Sequence, residues 1–303
     1  MTLDPLGFTH HTLADGVELF IRPTRRFRRM TVAVFWEQQL AADLASPTAL
    51  LPRVLIRGTR SFPLTLALER RQAELYGAEL DAGVFKLGER HVASLAIELP
   101  AERYAGDPDL LRQAVALLAE AAQRPALSDG VLRADYVSQE AEQLIRQLES
   151  LVDHKAAYAR WRCTEAMCAG EPYGIHSLGS VAALRAVTAE ALTGYHRELW
   201  ARNPVSIYAV GDFEPEQLAA RIREQFELTG RESVAQLPGT RVEVPAPPTP
   251  RQVEERMAMA QGWLVLGYRT GVSRSSPDYY PLLVFNAVFG GSALIAGLWF
   301  LLS

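Results

Sequence analysis

Five prolines crowd the stretch VAQLPGTRVEVPAPPTPRQ, residues 234–252. A proline has no backbone N–H and a fixed φ, so such a run cannot enter a helix interior or the middle of a sheet. It reads as an extended spacer. The chain of 303 residues is thereby divided into an N-terminal domain, 1–232, a proline-rich linker, 233–252, and a short C-terminal piece, 253–303. The first part is long enough to bury a core of its own.

Hydrophobic patterning fills in both sides of the spacer. GVELFIR (16–22), MTVAVFWEQ (30–38), HVASLAIEL (91–99) and SIYAVGDF (206–213) have the alternation and β-branched content of strands. Helical spacing predicts helices over 67–80, 109–123, 188–200 and 215–226, with Thr188 as an N-cap and Pro215 in a first turn. One long helix is predicted over 138–168, where Leu144, Ile145, Leu148, Leu151 and Val152 recur at helical intervals. Beyond the spacer, QGWLVLGY (261–268) reads as a strand like MTVAVFWEQ. SPDYYPLLVFNAVFGG (276–291) echoes SPTALLPRVLIRGT (46–59): each opens on Ser-Pro, continues as an apolar helix with a second proline, and stops near glycine. The pattern is that of an internal duplication whose second copy is cut short. Strands and helices mix without a regular βαβ alternation, which predicts an α+β fold, an antiparallel sheet covered by helices.

The formal net charge of −4 disfavours a protein that grips nucleic acid through phosphates. The one dense basic run, IRPTRRFRR (21–29), lies between two predicted strands and reads as a solvated hairpin turn, with a docking patch as the alternative. Two cysteines, Cys163 and Cys168, make neither a disulfide framework nor a four-ligand zinc site. They read as buried free thiols in a reducing cytoplasm. The N-terminus has no basic segment followed by an apolar one, so no signal peptide is expected. The last 25 residues carry no charge and are long enough to span a bilayer. Asn286, Gly290 and Gly291 interrupt them and no basic flank adjoins, so membrane contact by this tail is the minor expectation.

No catalytic constellation emerges from the residues alone. The histidines at 10, 11, 91, 154, 176 and 196 form no His-Glu-x-x-His or His-x-x-Glu-His pair. A phosphate-binding glycine loop and a Gly-x-Ser-x-Gly elbow are both missing from the sequence. A makeshift metal site from His91, His154 and Glu140 has no spacing to support it.

Four segments taken together resemble the M16 peptidase family of insulinase, pitrilysin and the mitochondrial processing peptidase. They are LLPRVLIRGTRSFP, YVSQEAEQL, EPYGIHSLGSVAAL and SIYAVGDFEPEQL. LYGAELDAGVFKLGERH, DHKAAYARWRC and QGWLVLGYRT followed by PDYYPLLVFNAVFGG resemble, within it, bacterial subunits associated with 5-aminopentanol modification of elongation factor P. The resemblance implies an M16/LuxS-like metallohydrolase fold with a complete first repeat and a truncated second one. In active members a first helix carries His-x-x-Glu-His ahead of Gly-Thr, and a later helix adds a glutamate. Counting back from Gly58-Thr59, the motif positions hold Ala49, Pro52 and Arg53. Glu140 stands at the residual ligand position, and it and Glu142 are expected as acids on a helix surface. Proline cannot take a proton from water, and an arginine repels a metal. The resemblance therefore implies a catalytically inactive chain with no metal and no cofactor, paired as a heterodimer with an active M16 zinc peptidase, and not with nucleic acid. It stops at Ser292, from which a truncated or frameshifted end is expected; the alternative is a tail-anchored protein with a soluble α+β domain.

Overall fold

The computed structural model describes residues 7–229, 231, 234–239, 249–257, 262–290 and 298–301. Most of the proline-rich run, 240–248, lies outside the described residues.

The chain opens with three strands, β1 (Thr9–Ala14), β2 (Val17–Pro23) and β3 (Arg29–Gln39). Helices α1 (Ala42–Leu55) and α2 (Thr65–Glu74) follow, then the hairpin β4 (Glu79–Leu87) and β5 (Arg90–Pro100). Next come a single turn α3 (Glu102–Ala105), the helix α4 (Leu110–Gln123) and a two-residue ribbon, β6 (Leu127–Ser128) with β7 (Val131–Leu132). The remaining helices of this part are α5 (Ala134–Ser150), α6 (Lys155–Met167), α7 (Val181–Ala186) and α8 (Ala189–Arg202). β8 (Val205–Gly211) and α9 (Pro215–Gln225) complete it.

Six strands form one sheet in the order β1-β2-β8-β3-β5-β4. The expected antiparallel pairing holds except between β2 and β8, which run parallel in the register Val17↔Val205 to Pro23↔Gly211. Strand alternation decides which face is dry. Val17, Leu19, Ile21, Met30, Val32, Val34, Leu95, Ile97 and Ile207 are fully buried and face a layer of helices. Each such side chain contributes about 1.5–3 kcal/mol through burial. The opposite face carries an aromatic row. Phe20 stacks on Tyr208 at 4.8 Å, and Tyr208 meets Phe35 edge-on at 5.6 Å.

Helix α1 lies at the centre of the helical layer, with Ala45, Ala49, Leu50, Leu51 and Leu55 at most 1% exposed. It tolerates Pro47 and Pro52 in its interior. The Leu178–Ser180 turn reaches it closely: Gly179 has φ +74°, and a Cβ there would sit 2.0 Å from Ser46 Oγ. Glycine is therefore required by both backbone and space.

Several expectations are corrected. The helix predicted over 67–80 ends at Glu74, because Tyr76 and Gly77 adopt positive φ and Glu79 onward forms β4. The long helix over 138–168 is two helices, α5 and α6, separated by a 3-10 turn at Leu151–Asp153 and by His154. Of the strand expected over 261–268, residue 261 lies outside the described residues, 262–265 are not in a strand, and β9 runs Leu266–Arg269. The uncharged tail is not one spanning helix. It folds as α10 (Tyr279–Gly290) and then β10 (Leu298–Leu301), which pairs in parallel with β9, while 291–297 lie outside the described residues. Among the described residues no helix is long and apolar enough to cross a membrane.

Candidate functional site

The first-helix positions and the later glutamate meet where α1 crosses α5. Ala49 is 1% exposed, Pro52 is buried, and neither presents a polar side-chain atom. Arg53 points across to α5 and donates to Gln147 Oε1 at 3.0 Å. One turn further on, Arg57 donates to Glu140 Oε1 at 2.5 Å and to Gln139 Oε1 at 2.9 Å. The two helices thus pair in opposite senses, residue 53 against 147 and residue 57 against 140.

Glu140 is not a surface acid, as its charged helix suggested. Its residue is 6% exposed, while Glu142 is the exposed one and faces Arg146. A carboxylate can be buried only with its charge compensated. Arg57 supplies that compensation, and Gln143 Nε2 adds a longer contact to the same oxygen at 3.4 Å.

Arg57 is held from several directions. Its Nε donates to Thr65 Oγ1 at 3.2 Å, and that hydroxyl donates back to the Arg57 carbonyl at 2.9 Å. Its guanidinium lies 4.8 Å from the Tyr136 ring centroid, and the Tyr136 hydroxyl donates to the Pro63 carbonyl at 3.1 Å. The turn after α1 and the first half of α5 therefore fix one cation against one carboxylate. Sequence reading passed over Arg57. The signal was its place on the helix stripe Ala49, Arg53, Arg57, at intervals of four, directly before Gly58-Thr59.

Zinc needs at least three protein donors to act as a catalyst. Ala49 and Pro52 offer none, Arg53 brings a positive charge, and Glu140 is already engaged by Arg57. These residues do not fit a zinc ion. Nor are His91, His154 and Glu140 brought together: among the described residues no group of three or more His, Cys, Asp or Glu could hold a metal.

The other polar groups near the helical layer serve packing. Thr48 shares a hydrogen bond of 2.6 Å with the Tyr195 hydroxyl, whose pKa is pushed up by burial. His196 is buried and bonded to the Ala122 carbonyl at 2.8 Å. His91 is fully buried, its ring without a well-formed hydrogen bond among the described residues, and burial lowers its pKa to about 4. Cys168 is buried and Cys163 half-buried, both as free thiols.

Residues 186–297 match a family model described as the peptidase M16 inactive domain. A curated protein of Bacillus subtilis (strain 168), described as "Probable inactive metalloprotease YmfF", is 32% identical over 277 residues, covering 91% of this chain and 64% of that protein. The chain therefore spans less than two thirds of this relative. A conserved protein from Enterococcus faecalis V583 of known structure superposes with a TM-score of 0.79 at 25% identity, over 95% of this chain and 67% of that one. A peptidase M16 inactive domain structure from Pseudomonas fluorescens superposes with a TM-score of 0.66 at 17% identity, over 95% and 65%. The latter likeness is one of fold.

Proposed function

We propose that the chain is an M16-family protein that serves as a non-catalytic subunit beside an active M16 zinc peptidase; its likeness to a probable inactive metalloprotease and the M16 fold of its structural neighbours support this reading. The observation that carries this reading is the Arg57–Glu140 pair. At the place the resemblance assigns to the zinc centre, the one remaining carboxylate is neutralised by a guanidinium. Guanidinium stays charged at every pH a protein tolerates, so it repels a metal ion and does not act as a base. Ala49 and Pro52 supply no substitute for a water-activating group. What the helix pair retains is its packing, which suits a subunit that contributes shape to a shared chamber while its partner contributes chemistry.

The finer resemblance extends the proposal to the enzymes that attach 5-aminopentanol to elongation factor P. A cytoplasmic setting agrees with two free thiols at Cys163 and Cys168.

The purified chain is expected to hold no stoichiometric zinc and to cleave no peptide in a chelator-sensitive way, with metal content and fluorogenic peptides as the readouts. Stoichiometric zinc with chelator-sensitive cleavage would sink the reading. Mass spectrometry of elongation factor P from a strain lacking this chain tests the extension. Unchanged aminopentanol modification removes it without touching the first claim.

A further inference from the structure

Where α1 crosses α5, hydrogen-bond donors are left over at the surface, and we propose that they form a binding site for a carboxylate carried by a peptide, either its C-terminal carboxylate or an acidic side chain. This rests on the peptidase-partner reading above, which is what brings peptides to the chain. The residues that do not fit zinc fit an anion instead.

Arg53 is the cation that its neighbours leave uncompensated. Arg57 is answered by Glu140, Arg146 by Glu142 and Arg185 by Glu149. Among the described residues Arg53 has only the neutral Gln147 Oε1, at 3.0 Å, and that bond lies at the surface. One of its N–H groups is used and the others are not. Gln139, Gln143 and Gln147 recur every four residues along α5, so they share a face, and all three are exposed. Gln147 turns its Oε1 to Arg53, and Gln139 turns its Oε1 to Arg57. Their Nε2 groups therefore face away from the arginines and have no partner among the described residues. Gln143 is set the other way: its Nε2 lies toward Glu140, which leaves its Oε1 open. From 147 to 139 the seam presents a donor, an acceptor and a donor.

One uncompensated positive charge matches one negative charge. A carboxylate supplies it and takes two parallel N–H bonds from a guanidinium. A phosphate group carries about −1.5 to −2 at pH 7 and calls for a second cation. Arg57 is not free to be that cation, because Glu140 holds it. The formal net charge of −4 acts from farther away and is screened beyond about 10 Å at ordinary salt, so the local sum decides at contact. From Gln139 to Gln147 the helix rises about 12 Å, the reach of about four extended residues at about 3.3 Å each. A peptide with its carboxylate on Arg53 and Gln147 can thus set an N–H on Gln143 and a carbonyl on Gln139. At that end Leu64 and Leu66 flank Thr65, which is bonded to Arg57, and they are 55% and 57% exposed, an apolar rim for a side chain. Ala49 and Pro52 supply no base, so a peptide held here is not cut.

The test titrates the full chain with an acetylated tetrapeptide of leucine and alanine, in three forms: free C-terminal carboxylate, C-terminal amide, and the amide with one glutamate. Inorganic phosphate is the fourth probe. Side-chain amide signals in NMR spectra give the Kd. The free carboxylate is expected to shift the Gln139 and Gln147 signals and to bind at least about tenfold tighter than the plain amide. Arg53→Met is expected to abolish that preference without a change in thermal unfolding. Tighter binding of the glutamate form than of the plain amide supports the site and extends it to acidic side chains; no gain there overturns that source and leaves the C-terminal one. Equal binding of free and amidated peptide, no binding at millimolar peptide, or a preference that Arg53→Met keeps overturns the site and spares the subunit reading. Phosphate that displaces the peptide at equal concentration overturns the assignment to a carboxylate. Chelator-sensitive cleavage of the peptide during the titration overturns the subunit reading itself.

Discussion

Removing the guanidinium of Arg57 would strand the Glu140 carboxylate at a site where its residue is 6% exposed. Breaking a buried pair from one side costs about 3–5 kcal/mol, because an uncompensated charge remains. Arg57→Met is expected to lose about that much in urea unfolding, and the double change Arg57→Met with Glu140→Leu to recover most of it. A single-variant loss no larger than that of a surface substitution would refute the view of Arg57 as the local counter-charge. The same pair shows where sequence reading ends. Pro52 and Arg53 stood out only when the stretch was set against the family pattern that it resembles. Arg57 did not, because its partner lies 83 residues away. A basic residue just past a helix C-terminus is also adequately explained by the helix dipole.

At the level of elements, periodicity and capping located most helices and strands. Thr188 accepts from Ala191 N at 3.2 Å as the predicted cap, and α9 begins on Pro215. The failures were boundaries where tertiary contacts override local pattern. Gln72 Oε1 accepts from Leu80 N at 2.7 Å, and this couples the end of α2 to a strand that propensity alone had merged with it. The β4–β5 hairpin then sets two basic groups side by side, Lys86 opposite His91. Lys86 Nζ donates to the Tyr173 and Ile175 carbonyls at 2.8 and 2.9 Å, tying the loop after α6 to the sheet edge. Burial lowers the His91 pKa to about 4, the Ser177 backbone opposes that shift, and Lys86 adds to it; His176, on the same loop, is also lowered by burial. A histidine depressed in the folded state binds fewer protons there than when unfolded. Stability is therefore full above the ordinary histidine pKa near 6.5 and falls as pH drops toward 4. His91 contributes about 3 kcal/mol to that loss, and His176 and His196 act in the same direction. His91→Phe is expected to flatten the acid limb of stability against pH. A variant whose curve runs parallel to the wild type would exclude His91 as its source.

For the molecule as a whole, the six-stranded sheet is complete within residues 9–211, and the segment after the proline-rich run packs against α6 instead. Among the described residues its anchors are mostly polar. Arg269 meets Glu171 at 2.6 Å, with side chains 14% and 13% exposed, and donates to the Met167 carbonyl at 3.0 Å. Glu255 accepts from Tyr158 at 2.8 Å and from Arg162 at 2.6 Å. Gly267 approaches Met167 so closely that a Cβ would come within 2.9 Å of its sulfur. By contrast α10 leaves Val284, Phe285 and Val288 exposed, so among the described residues little apolar burial ties this segment down. A region with few buried apolar contacts opens locally before the core does. Arg269→Met leaves Glu171 without its counter-charge and is expected to speed amide exchange across Leu266–Arg269. The amides of Val32, Val34, Leu95 and Ile97, at the centre of the sheet, should keep wild-type protection. If both sets lose protection together, the segment and the sheet form one cooperative unit, and the division that the prolines suggested is only a feature of the sequence. If they separate, the spacer divides two units of unequal stability, with Arg269 as the contact that holds the weaker one in place.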